Sequence, residues 1–151
     1  MATGTASKTS TGSTGGSVST LNDSDKQFFI SAAQANMSEL ALSRIAADQA
    51  TDTNVKNLAA HMLADHEKLD QELKQFALKK GVALPAPVTS ESLPNADLDR
   101  AYVQRMVSDH RKAIGQFSAA VLADPDLRTL AANTLPVLRK HLAAAKKISA
   151  P

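Results

Sequence analysis

The sequence predicts an all-α protein: a four-helix bundle with a long connection between its second and third helices. Three observations carry this. Apolar residues recur at the 3-4 spacing of a helical face in four separate stretches, strand-like alternation is absent, and the breaks between stretches carry helix stop and start residues.

The first helix is expected after Asn22-Asp23-Ser24-Asp25, which offers side-chain caps and early acidic charge, and should run to about Ala50. Thr51-Asp52-Thr53 ends it and caps a second helix that runs to about Lys80 and stops at Gly81. Residues 81–95 hold three prolines and form the long connection. Asn95 is expected to cap a third helix that reaches about Ala123. Asp124-Pro125 pairs a cap with proline at the first helical position, and starts a fourth helix ending near Ile148. Pro136 falls inside that helix, where a kink is expected.

Residues 1–20 are almost entirely Ser, Thr, Gly and Ala, too polar to offset the entropy of ordering them. The chain therefore divides into a disordered tail, 1–20, and one bundle domain, 21–151. Such a stretch ahead of a folded domain fits an exported protein whose signal peptide has been removed. A periplasmic or secreted location is the expectation, with a flexible-tailed cytoplasmic protein as the alternative.

Composition removes several function classes. With no cysteine there is no disulfide framework, zinc ribbon or thiol nucleophile. A net charge of +2 with no concentrated basic stripe argues against a nucleic-acid partner. No apolar run approaches the roughly 18 residues that a transmembrane helix needs.

The informative residues are polar ones on the buried faces. Helix one reads Phe28, Ala32, Ala35, Glu39, Leu42, Ala46, Gln49, and helix two reads Val55, Ala59, Met62, His66, Leu69, Leu73, Phe76. Helix three reads Asp99, Val103, Met106, His110, Ala113, Phe117, Ala120, and helix four reads Leu127, Ala131, Thr134, Leu138, His141, Ala145, Ile148. Glu39, His66, His110 and His141 thus each stand among small and apolar neighbours. If the 81–95 connection crosses the bundle's length, helices two and three run parallel. The four residues then lie within about three residues of one height, or ~5 Å along the axis. Three imidazoles and a carboxylate at one level form a ligand set for zinc, iron, manganese or copper. A metal-free polar network that fixes helix register is the competing account of the same residues.

Lesser features have plainer readings. Asp65 and Asp109, each before a seam histidine, fit either an outer acceptor for an imidazole or a solvated flank. Asp99 suits a helix start, Tyr102 is expected to pack with its hydroxyl at the rim, and His61 falls off the seam. No cleft is expected in so apolar a core, so an organic-substrate enzyme ranks last.

The run from about Asp25 to Ile148 resembles the bacterial ferritin-like family catalogued as domain of unknown function 4142. The resemblance rests on Glu39, the pairs Asp65-His66 and Asp109-His110, Asp99-Arg100-Ala101-Tyr102, and Leu135-Pro136-Val137-Leu138-Arg139-Lys140-His141-Leu142. It implies a ferritin-like four-helix bundle, usually exported, with no established activity. The chain departs from working di-iron ferritins, which carry Glu-x-x-His on two helices. Leu63 stands three before His66 and Leu138 three before His141. Carboxylates are too few for a bridged di-iron centre, and a single ion fits better.

Overall fold

The computed structural model describes residues 21–88 and 90–149, so the expected tail lies outside the described residues. Four α-helices carry the chain: α1 (Asp23–Gln49), α2 (Thr53–Lys80), α3 (Leu98–Ala119) and α4 (Pro125–Ser149). No strand occurs among the described residues.

Three of the four starts and one stop follow local chemistry. Asn22 accepts the Asp25 N–H at 2.7 Å, and Asp52 accepts those of Asn54 and Val55. Asp124 accepts the Asp126 and Leu127 N–H groups at 2.9 Å, with Pro125 supplying the preset first turn. Gly81 ends α2 with φ 64°, a left-handed conformation that costs glycine nothing. Helix α4 continues through Pro136, which sits on its exposed side.

The start of α3 departs from expectation. Asn95 opens a short 3-10 turn, Asn95–Asp97, and caps nothing; α3 begins at Leu98 without a side-chain cap. The other end of α3 stops at Ala119 instead of Ala123. There the N–H groups of Ala123 and Asp124 are taken by the buried carboxylate of Asp25, at 2.7 to 3.2 Å, and Leu122 turns into the core. Those donors are therefore lost to the helix ladder.

The same device fixes topology at the opposite end. Asp99, at the start of α3, accepts from Thr51 N, Thr51 Oγ and Asp52 N at 2.7 to 3.2 Å. It joins helices instead of serving only its own dipole. The start of α3 thus lies beside the start of α2, and the two run parallel. Helix α1 packs on α2 and α3, and α4 packs on the same two, so every neighbouring pair is antiparallel. The connection after Gly81 must span a 28-residue helix, about 42 Å, within the reach of its extended chain. It runs along the α1–α3 side, where Glu91 meets Ser38 and Arg105 and Leu93 packs against the core.

The core is two apolar clusters with a polar layer between them. Leu42, Ala59, Met62 and Met106 belong to the upper cluster, and Phe29, Leu73, Phe76 and Leu127 to the lower. Full burial of each large side chain contributes roughly 1.5–3 kcal/mol. The buried stripe of α1 is broader and rotated from the expected seam. Ala35 and Gln49 are exposed, while Phe29, Ala33, Asn36, Leu40 and Ser43 are buried, because α1 faces α2 and α3 at once. Tyr102 is fully buried, not at the rim, and its hydroxyl shares a 2.8 Å hydrogen bond with Ser43 Oγ. A buried phenol needs that partner.

Candidate metal centre

Helical periodicity brings three of the four expected residues together. His66, His110 and His141 each follow a buried Met, Met or Leu one turn or less away, and are 4%, 1% and 4% exposed. Their ring centroids are 5.2 to 5.6 Å apart. One ring nitrogen from each lies within 4.8 Å of the others.

The outer nitrogens decide what the inner ones can do. Asn36 Nδ2 donates to the His66 carbonyl at 3.1 Å, which turns Asn36 Oδ1 toward His66 Nδ1 at 2.8 Å. His66 Nδ1 therefore carries a proton. His110 Nδ1 lies 2.9 Å from the Met106 carbonyl, an acceptor only, so it too carries a proton. His141 Nε2 donates to the Asp65 carboxylate at 2.7 Å. Neutral rings so held leave lone pairs on His66 Nε2, His110 Nε2 and His141 Nδ1.

Neutrality follows from burial. Desolvation, then the neighbouring histidines, pushes the His66 ring down to about 3, and desolvation with His141 pushes His110 to about 4. His141 is lowered by burial, opposed by Asp65. At neutral pH no proton is available to bridge His110 Nε2 and His141 Nδ1, which face each other at 3.2 Å. His66 Nε2 has no hydrogen-bond partner among the described residues. Three lone pairs converging without a proton between them are a donor set for a cation.

Glu39 lies beside this group and outside it. It is 5% exposed, and burial first, then the Asp109 carboxylate, raises its carboxyl to about 9. Its Oε2 is the second buried side-chain atom without a partner among the described residues. A cleft of about 400 Å³ between α1 and α3 is lined by Glu39, His66, His110 and Arg105. This corrects the expectation of a core without a cleft: the residues of α3 beyond His110 are only half-buried or exposed.

The two Asp-His pairs are used differently. Asp65 reaches across to α4 and orients His141, the outer-acceptor role, where the sequence equally allows a solvated flank. Asp109 turns to Arg105 Nε at 2.7 Å on its own helix. Asn36 escaped the sequence reading altogether. Its signal was position: it stands three residues before Glu39, on the face that holds Phe29 and Ala33.

A family model described as a domain of unknown function, DUF4142, matches residues 10–148. The chain belongs to the DUF4142 family. No curated protein matches it. Among solved structures, this DUF4142 chain is similar to a DUF305 fragment from Deinococcus radiodurans, with a TM-score of 0.75 and 16% identity, over 85% of this chain and 96% of that one. It is similar to CopM in its Cu(I)-bound form, with a TM-score of 0.68 and 17% identity, over 83% and 95% of the two chains. CopM in its Cu(II)-bound form gives 0.68 and 15%, over 82% and 93%. At these identities the likeness establishes the shared helical fold. No helix of the described residues is long and apolar enough to cross a membrane.

Proposed function

We propose that this DUF4142 bundle binds one transition-metal ion through His66, His110 and His141, with Glu39 as a fourth, anionic ligand from the cleft side. The single observation that carries the reading is the inward trio of lone pairs, each backed by an acceptor on its ring's outer nitrogen. Three imidazoles with one carboxylate suit copper, zinc and iron and disfavour magnesium and calcium. Copper is our first assignment because the fold is shared with a protein whose structures are described as Cu(I)- and Cu(II)-bound. The physiological role we assign is metal handling or stress protection in the bacterial cell envelope, in keeping with the Ser/Thr/Gly-rich first 20 residues.

A register-fixing network without metal is the second reading. It is favoured by the three outer ring nitrogens, all of which have partners without any ion. It leaves His66 Nε2 and Glu39 Oε2 unexplained.

Elemental analysis of protein purified without a metal-binding tag, then melts with chelator or added copper(II), zinc or iron(II), tests the choice. Ion present at 100 Kd should stabilise the fold by about 2.7 kcal/mol. His110→Leu should abolish tight binding and leave the metal-free fold as stable or more so. The network reading instead expects that variant to cost about 1–3 kcal/mol, with no dependence on metal. A wild-type midpoint unmoved by any of these ions would end the metal reading. Ligation by Glu39 has its own signature. Because its carboxyl is held at about 9, binding at pH 7 should release about one proton per ion, and none in Glu39→Gln.

A further inference from the structure

Two openings flank the histidine layer, and they are not equivalent. The smaller, about 210 Å³ between α2 and α4, is lined by Asp65, His66 and His141. On that side Asp65 holds the outer nitrogen of His141, so an arriving cation meets the N–H of His141 and not its lone pair. The larger opening, the α1–α3 cleft, is lined by His66, His110 and Glu39. It therefore includes the residues of both buried side-chain atoms that lack a partner, His66 Nε2 and Glu39 Oε2.

We propose that the ion reaches and leaves the three histidines through the α1–α3 cleft, past a removable arginine lock at its mouth. This rests on the metal-binding reading above. The lock is Arg105, whose guanidinium lies 2.7 Å from Asp109 and 3.6 Å from Glu91 of the crossover. Glu91 in turn is hydrogen-bonded by Ser38 of α1, so one acid ties both walls to the strap that covers them. The Arg105 side chain is 40% exposed and can swing into water, leaving Glu91 and Asp109 to draw a cation inward. The α2–α4 opening, lined by Asp65, Lys68 and Glu72, leads to the protonated side of His141.

Small residues in each wall allow a direct test on the full chain. Ala35, exposed, and Ala113, half-buried, line the cleft, while Asn133, exposed, lines the opposite groove. Copper(II) is transferred from a chromophoric chelator in a stopped-flow instrument, with far-UV CD confirming each variant's fold. Ala35→Phe and Ala113→Phe should slow loading and release alike by tenfold or more, leaving the equilibrium constant within threefold of wild type. Asn133→Phe should load at the wild-type rate. Arg105→Ala should load several-fold faster. Cleft variants that load as fast as wild type, or a groove variant that is slowed tenfold, would overturn the route. If Ala35→Phe does not fold, Ala113→Phe and Asn133→Phe decide the matter. A wild type that takes up no copper at equilibrium removes the metal reading and the route together; a wild type that loads indifferently to the cleft variants removes the route alone.

Discussion

The two faces of the histidine layer carry the same dipeptide and do different things with it. On the α2–α4 face, Asp65 of Asp65-His66 crosses to α4 and bonds His141 at 2.7 Å. On the α1–α3 face, Asp109 of Asp109-His110 stays beside Arg105 and Glu39, and the Met106 carbonyl of the same helix orients His110. One acid fixes a tautomer; the other helps keep a neighbouring carboxyl protonated. Each residue's meaning is set by what stands ~100° around the helix and across the gap, not by the motif.

The largest way to probe the layer is pH, because its histidines and Glu39 oppose each other in the metal-free protein. The folded pKa values of His66 and His110 lie below their unfolded values. Their contribution is complete above about 6.5 and is lost as pH falls toward 4 and 3. Glu39 is the reverse: its folded value is raised, so its contribution is complete below 4.5 and fades as pH climbs toward 9. Each group changes stability by at most about 1.4 kcal/mol per pH unit. The two histidines outnumber the carboxyl, so stability of the chelated protein should peak near pH 6.5, with the acid limb steepening below pH 4.5, where Glu39 no longer opposes them. Urea unfolding from pH 4 to 9 checks this. Glu39→Gln should flatten the alkaline limb and steepen the acid limb above pH 4.5; an unchanged alkaline limb would mean Glu39 is ionised in the fold.

A smaller effect separates the two aspartates by metal affinity. Loss of an outer acceptor to a ligating histidine typically costs 10- to 100-fold. Asp65→Ala should weaken copper(II) binding by that amount, and Asn36→Ala should do likewise through His66. Asp109→Ala should change affinity by only a few-fold, since Asp109 touches no ring nitrogen. Competition titrations against a chelator of known affinity make the comparison. Equal losses at Asp65 and Asp109 would erase the distinction between the faces.

Much of this was readable in the chain, for reasons of range. Caps at Asn22, Asp52 and Asp124 and the stop at Gly81 act within one turn, so composition suffices to find them. The parallel run of α2 and α3 followed from length alone, since the connection is too long for a tight turn and long enough to cross the bundle. His66, His110 and His141 were found because a 3.6-residue period places them on inward faces. What failed depended on helix rotation. Ala35 and Asn36 differ by ~100° around the helix, and a narrow seam chose the wrong one. Tyr102, expected at a rim, is buried because Ser43 of another helix supplies its hydroxyl's partner, a long-range contact that local sequence does not carry. Glu39 is expected at the level of the histidines and lines the cleft with His66 and His110, but a level does not fix the distance from a side chain to the rings. Asn95 failed as a cap because Asp99 ties α3 to the α1–α2 turn.

The smallest expected effect is also the sharpest on Asp65. Its side chain is 42% exposed, so in the metal-free protein the pairing with His141 is heavily screened by water. Asp65→Asn keeps an acceptor oxygen for the His141 Nε2–H while removing the charge. The chelated variant should therefore unfold within about 1 kcal/mol of wild type, as exposed pairs rarely contribute more. Its copper(II) affinity should fall between those of wild type and Asp65→Ala, because the tautomer is still held but the imidazole is less basic. A purely structural Asp65 predicts the other pattern, with Asn and Ala equally harmless to binding once folding is matched. Recovery of affinity by asparagine, at unchanged stability, distinguishes a residue that aims a ligand from one that only holds two helices together.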